Sequence, residues 1–135
     1  MSQENVEVVR TAIEAVNRRD LRALADASTD DLEIVSTLTA ANLGGATHDG
    51  RDAWVSYFAA MDESWEDWRI EGFEVLDAGD DRVACLCRLV SRGQHSGVPV
   101  ERAVGIAYQL LDGRMRRIRS YLDPAEALDA VGLRE

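Results

Sequence analysis

Residues Asn5 to Ile34, NVEVVRTAIEAVNRRDLRALADASTDDLEI, decide the fold. Val6, Val9, Ile13 and Val16 fall three or four apart, the spacing of one buried helical face. Asn17 to Asp20 breaks the pattern, and Leu21, Leu24 and Ala27 restart it. Asp30 and Asp31 then supply a turn, and Leu32 to Leu38 has the β-branched content of a strand. A helical hairpin is therefore laid down ahead of a sheet.

Outward from this segment, Ala40 to His48 reads as a loop because of its Gly44-Gly45 pair and small residues. A second long helix is expected after it, with Asp49 as N-cap and Trp54, Tyr57, Phe58, Met61 and Trp65 on one face. Trp68 to Asp77 reads as a strand, turning at Gly79-Asp80-Asp81 into Arg82 to Arg92. Gly93 to Pro99 is a loop, and Val100 to Leu111, Asp112-Gly113 and Arg114 to Leu122 form a last hairpin. Asp123-Pro124-Ala125-Glu126 marks a final helix by its N-cap, its proline at the first helical position and its acid three residues on, and Gly132 fits the C-cap. The expected order is α-α-β-α-β-β-β-β-α. That is an α+β layout with a curved antiparallel sheet packed on N-terminal helices and a short C-terminal helix.

At 135 residues the chain has the size of one domain, residues 1–135. Its formal charge of −10 argues against nucleic acid, which needs a basic surface to release counterions. The run Arg114, Arg116, Arg117 and Arg119 splits over two faces of a strand and makes no single patch. All 15 basic residues are arginine, so chemistry that needs a side-chain amine, Schiff bases included, is excluded. Met1 to Arg18 holds no apolar signal region and no run reaches membrane-spanning length, so the expected compartment is the cytosol. Cys85 and Cys87 lie two apart on one strand face, poorly placed to bond to each other, and read as buried thiols. Two loop histidines, His48 and His95, without a spaced carboxylate pair make no metal site, and no cofactor is expected.

A curved sheet with helices over one face encloses a conical pocket lined by strand residues of one parity. The bulky apolar parity must face the helices, which places Ile34, Ile106, Tyr108, Ile118, Ser120 and Leu122 inside and Met115, Arg117, Arg119 and Tyr121 outside. Trp54, Tyr57 and Phe58 could wall the pocket from the helix. If the strand keeps one register from Ala84 to Val90, Arg88 shares the inward face with Leu86 and calls for an anionic partner. A β-bulge would turn it outward. His95, in Gln94-His95-Ser96, sits in a loop that could overhang the pocket.

Six segments in this order carry a resemblance: Asn5 to Arg10, Asn17 to Asp20, Asp31 to Ile34, His48 to Arg51, Gly79 to Val83 and the ending Asp112 to Asp123. Together the chain resembles the SnoaL-like branch of the nuclear-transport-factor-2-like superfamily. The resemblance implies a cone of curved sheet over three helices, often a homodimer through the outer sheet face. It implies activity less directly, because that architecture hosts isomerases, cyclases, hydrolases and binders. Where a ketosteroid-isomerase-like site would carry Tyr, Asp and Asp, this chain has Ala12, Ile34 and Ile106. Where an epoxide-hydrolase-like site would carry an arginine and two aspartates, it has Arg82, Ala84 and Ser120, and Ser120 also stands where a SnoaL-type cyclase would carry its base.

The expectation is therefore a ligand-binding domain for a small hydrophobic or carboxylate-bearing molecule. The candidate lining residues are Ile34, Trp54, Phe58, Arg88, Ile106, Tyr108, Ile118, Ser120 and Leu122. Two alternatives stand beside it. One is an isomerase, cyclase or hydrolase using Tyr108 and Ser120 as donors with His95 or Arg88 as the charged partner. The other is a dimerisation module working through Met115, Arg117, Arg119 and Tyr121.

Overall fold

The computed structural model describes residues 2–37, 46–93 and 96–133. Gln94 and His95 lie outside the described residues, and so does the Gly44-Gly45 pair. The elements are α1 (Ser2–Arg18), α2 (Leu21–Asp26), β1 (Ser28–Ser36), β2 (Ala46–Asp49), α3 (Ala53–Ser64), β3 (Trp65–Gly79), β4 (Arg82–Gly93), β5 (Pro99–Leu111), β6 (Arg114–Tyr121) and α4 (Pro124–Val131). They form an α+β fold whose sheet runs β2-β1-β6-β5-β4-β3 and does not close. Neighbouring strands are antiparallel except for β1 and β6, which run parallel with Ile34 opposite Ile118.

The helix break is a cap and a start in succession. Arg19 takes a left-handed φ of 59° and the Asp20 N–H returns to the Ala15 carbonyl at 2.9 Å, ending α1. The Asp20 carboxylate then accepts from the Ala23 N–H at 3.1 Å, opening α2. Val9, Ala12, Ile13 and Val16 bury one face of α1 against the concave side of the sheet. Asn17, at the end of that face, accepts from the Ile70 N–H at 2.9 Å and donates to the Ile70 carbonyl at 2.8 Å. It satisfies backbone groups on the free side of the edge strand β3 that would otherwise be open to another chain.

Bulges shape the sheet. In β3 the pairing with β4 slips between Glu66 and Arg69 and again between Glu71 and Glu74, with Asp67 and Gly72 at left-handed φ values of 51° and 56°. Each slip bends the long strand around the core. In β6, Gln109 pairs with Arg117 but Leu110 pairs with Met115, so Arg116 is the extra residue. The two tight turns carry positive φ at both central residues, Asp80-Asp81 and Asp112-Gly113, as a twisted two-residue hairpin requires.

Several expectations are corrected. The sheet has six described strands rather than five, because Ala46–Asp49 pairs with β1 where a loop was expected. Asp30 and Asp31 belong to β1 and do not form a turn. The cap position of α3 falls to Asp52 rather than Asp49. Trp65 opens β3 instead of closing α3. Met115, expected outside, is fully buried, because the Arg116 bulge inverts the parity at the start of β6.

α4 lies on the opposite, outer face of the sheet. Asp123 caps it by accepting from the Ala125 N–H at 3.0 Å, Pro124 fills the first turn, and Gly132 at φ 85° ends it. Gly105 makes the docking possible, since a Cβ there would stand 2.6 Å from the Ala127 Cβ and 2.9 Å from the Pro124 Cα.

Candidate functional site

Inside the cone lies a cavity of about 30 Å³ walled by Ile13 and Val16 of α1, Trp54 and Tyr57 of α3, and strand residues Ile34, Val35, Ile70, Ile106, Tyr108, Ile118 and Ser120. Most strand contributors follow from parity: Ile106 and Tyr108 alternate on β5, Ile118 and Ser120 on β6, and Ile34 sits opposite Ile118, whereas Val35 has the other parity.

Of the nine candidates, Ile34, Trp54, Ile106, Tyr108, Ile118 and Ser120 meet at this cavity. Phe58 does not line it. It packs behind Trp54 and Tyr57, ring centroids 6.1 and 6.0 Å away, and against Trp68 at 5.6 Å. Arg88 does not face it either. On β4 the inward parity belongs to Val83, Cys85, Cys87 and Leu89, so Arg88 emerges on the outer face and pairs with Glu101 at 3.1 Å. Leu122 lies just past the end of β6 and is 42% exposed, freed from the strand's alternation. Ile13, Val16, Val35, Tyr57 and Ile70 complete the wall. For Ile13 and Val16 the signal was already in the helical spacing of α1, whereas Ile70 needed the register of β3.

Three hydroxyls face this apolar space. Ser120 Oγ accepts from the Thr37 N–H at 3.0 Å, which leaves its own proton to donate. Among the described residues the Tyr57 and Tyr108 hydroxyls have no hydrogen-bond partner. Burial pushes both phenols well above their ordinary pKa, and they stay neutral donors at any physiological pH. Among the described residues, no carboxylate, imidazole or guanidinium is in the wall. Trp54 is held rigidly, donating its indole N–H to Ser28 Oγ at 3.0 Å, while Ser28 Oγ donates to the Leu24 carbonyl at 2.7 Å. Arg19 covers the aromatic cluster from outside, 4.3 Å from the Trp68 ring centroid and 3.0 Å from Asp62.

The positions matching known catalytic sets carry no acid or base. Ala12 is buried in the α1 interface, Ile34 and Ile106 are cavity wall, Ala84 is buried on the face covered by α4, and Arg82 stands 3.9 Å from Asp80 at the hairpin turn.

His48, expected on a surface loop, is instead 9% exposed on β2 beneath α3. Its Nδ1 lies 2.5 Å from Ser56 Oγ, its ring meets the Tyr57 ring edge-on at 6.1 Å, and among the described residues its buried Nε2 has no partner. Burial lowers its pKa, partly opposed by Asp49. The unfolded chain, with an imidazole near 6.5, then binds more protons than the folded one at mildly acidic pH. Stability is therefore expected to be flat above that value and to fall as pH drops below it. The extra slope cannot exceed about 1.4 kcal/mol per pH unit for one proton. Urea titrations from pH 7.5 to 5 should show this slope reduced in His48→Gln; identical profiles would contradict the assignment.

On the inner face of β4, Cys85 and Cys87 are both buried and unbridged. The neighbouring Cys87 thiol, followed by burial, pushes the Cys85 thiol well above its ordinary pKa, so it stays protonated at physiological pH.

Comparison with known proteins agrees with this architecture. The chain is similar over 98% of its length to 99% of an NTF2-like protein of unknown function from Burkholderia pseudomallei, at 22% identity and a TM-score of 0.78. It is similar over 94% of its length to 93% of a protein with a ketosteroid isomerase-like fold from Catenulispora acidiphila, solved in complex with trimethylamine, at 19% identity and a TM-score of 0.72. TerC, co-crystallised with polyporic acid, matches 95% of this chain over 98% of its own length at 17% identity and a TM-score of 0.77. Comparison with curated proteins gives no match. The profile of the SnoaL-like domain matches residues 9–118, which is most of the chain. On the fold and on this match, the chain belongs to the SnoaL-like domain family.

Proposed function

We propose that this chain binds a small, uncharged, largely apolar molecule carrying a hydrogen-bond acceptor, and that it does so in the cone without acid–base chemistry of its own. The observation that carries the reading is the wall itself. Among the described residues, apolar side chains surround the Tyr57 and Tyr108 hydroxyls, which have no partner there, and the Ser120 hydroxyl, with no ionisable carboxylate or imidazole in the wall. Donors without partners in an apolar space favour a ligand carbonyl or ether oxygen, and an anion would enter without a compensating charge.

At about 30 Å³ the cavity has room for water and is far smaller than the space a drug-sized ligand occupies. Binding therefore requires the wall to move, which slows association below the ordinary range. Trp54 is in that wall, so its fluorescence reports directly. Titration with neutral polycyclic ketones is expected to change tryptophan emission saturably, and the change should disappear in Ile106→Phe, which fills the space without adding a tryptophan. At a hundred times its dissociation constant the ligand should add about 2.7 kcal/mol of stability. Silence across a broad panel would overturn the reading.

A second reading, a cyclase or isomerase with an unfamiliar residue set, gains support from one fact: Tyr108 and Ser120 line the same cavity. Turnover of an aldol-type substrate, lost in Tyr108→Phe with binding retained, would favour it over simple binding.

A further inference from the structure

A serine and a histidine meet outside the cone wall, between α3 and β2. Ser56 stands in the first turn of α3 and is exposed to solvent, and His48 lies beneath the helix on β2, almost fully buried. The register explains the meeting. His48 is paired with Ile34, so its side chain shares the inner face of the sheet on which α3 rests. Ser56 Oγ and His48 Nδ1 are within hydrogen-bond distance at 2.5 Å.

The pair has the parts of an activated nucleophile. Burial keeps the imidazole neutral near neutral pH. In the tautomer with its proton on Nε2, Nδ1 accepts from the Ser56 hydroxyl, which aims the serine proton at a base. Asp49, next on β2, favours the imidazolium that forms when that proton is taken, the part a carboxylate plays beside a catalytic histidine. Asp52, at the cap position of α3, makes no side-chain cap bond. The positive end of the helix is therefore left uncapped by a side chain within one turn of Ser56, where it favours negative charge on a reacting carbonyl oxygen. Packing alone does not account for His48, because its buried Nε2 has no partner among the described residues, a cost that an apolar side chain would not carry.

We infer that Ser56 and His48 form an acyl-transfer site for small, uncharged, activated esters such as aryl acetates, with Ser56 as the nucleophile and His48 as its base. Ser56 Oγ adds to the ester carbonyl carbon as its proton passes to Nδ1. The adduct then breaks its bond to the alkoxy oxygen, which takes that proton and leaves as the alcohol, and the acyl group stays on Ser56. Water repeats the sequence on the acyl-serine. It gives its proton to Nδ1, which returns it to Ser56 Oγ as the carboxylic acid departs. Asp49 and Asp52, one beside each member of the pair, repel an anionic acyl group. No residue of this set belongs to the cone wall, so the site stands independently of the ligand in the cone.

The test is reaction of the whole chain with p-nitrophenyl acetate near neutral pH, read as nitrophenolate release and, after acid quench, as intact mass. The chain suits it, since without lysine no side-chain amine competes for the acetyl group. Release faster than the buffer background is expected, with one acetyl group per chain mapped to Ser56. Ser56→Ala, a change on an exposed helical position, should abolish both signals with the fold intact. His48→Gln should slow release by about a hundredfold or more, and if that variant does not fold, Ser56→Ala alone decides. The anionic ester mono-p-nitrophenyl succinate should react more slowly than the acetate. The site would be overturned by release no faster than buffer, by an acetyl group mapped elsewhere, or by an undiminished rate in Ser56→Ala or in folded His48→Gln. A succinate ester that reacts as fast as the acetate would overturn the preference for uncharged esters.

Discussion

Truncating Trp54 to alanine is expected to destabilise the protein by about 4 kcal/mol, within the range for loss of a buried aromatic. The ring is 7% exposed and meets Tyr57 edge-on at 5.8 Å and Phe58 at 6.1 Å. Its removal would leave a void continuous with the existing cavity, so the surroundings have little means of collapsing onto it. The indole N–H adds a second loss, because its bond to Ser28, relayed to the Leu24 carbonyl, ties α3 to β1 and α2. Trp54→Phe separates the two contributions, keeping most of the ring while removing the bond, and should cost about 1 kcal/mol from the hydrogen bond alone. Urea unfolding of both variants checks the ordering. A Trp54→Ala cost below that of Trp54→Phe would show that the ring is not part of the packed wall.

The second large effect is on the other face of the sheet. Gly105→Leu is expected to cost about 3 kcal/mol, because its side chain would occupy the space held by the Ala127 Cβ and the Pro124 backbone. Backbone cannot rotate aside as a flexible side chain can, so α4 must lift, exposing Ala127 and Val131. The control is Ala103→Leu, two residues earlier on the same face but exposed, where the change should stay within about 0.5 kcal/mol. Equal stabilities for the two variants would mean that α4 is not docked on Gly105.

How much of this was legible depended on whether the deciding physics was local. The Asp123-Pro124 start, the Gly132 end and the two hairpin turns were readable because capping and positive φ restrict which residues can stand there. The break after α1 was readable for the same reason. β2 was not, because four residues beside a glycine pair carry too little pattern, and the strand owes its existence to pairing with β1. His48 was misplaced with it.

The site was half legible. Parity on β5 was unambiguous, since Ile106 and Tyr108 alternate with Gly105 and Ala107. On β4 both parities are apolar enough to be buried: Leu86 and Val90 suggested one face, and Cys85 and Cys87 took it. That choice moved Arg88 outside. The Arg116 bulge was likewise invisible, because it answers a conflict between strands: keeping one register would have put Arg116 inward and Met115 outward. Instead Arg116 sits 3.6 Å from Asp31 at the surface and Met115 fills the core.

An uncharged ligand held in the cone through hydroxyls alone leaves a signature that a crystal structure reads. The most direct measurement is a crystal structure grown with a neutral polycyclic ketone that has passed the fluorescence test. Ligand density is expected among Ile34, Trp54, Ile106 and Ile118, with the ketone oxygen within hydrogen-bond distance of the Tyr57 or Tyr108 hydroxyl. Density elsewhere on the protein with an unaltered cone, or a ligand whose oxygen meets none of the three hydroxyls, would contradict this binding mode.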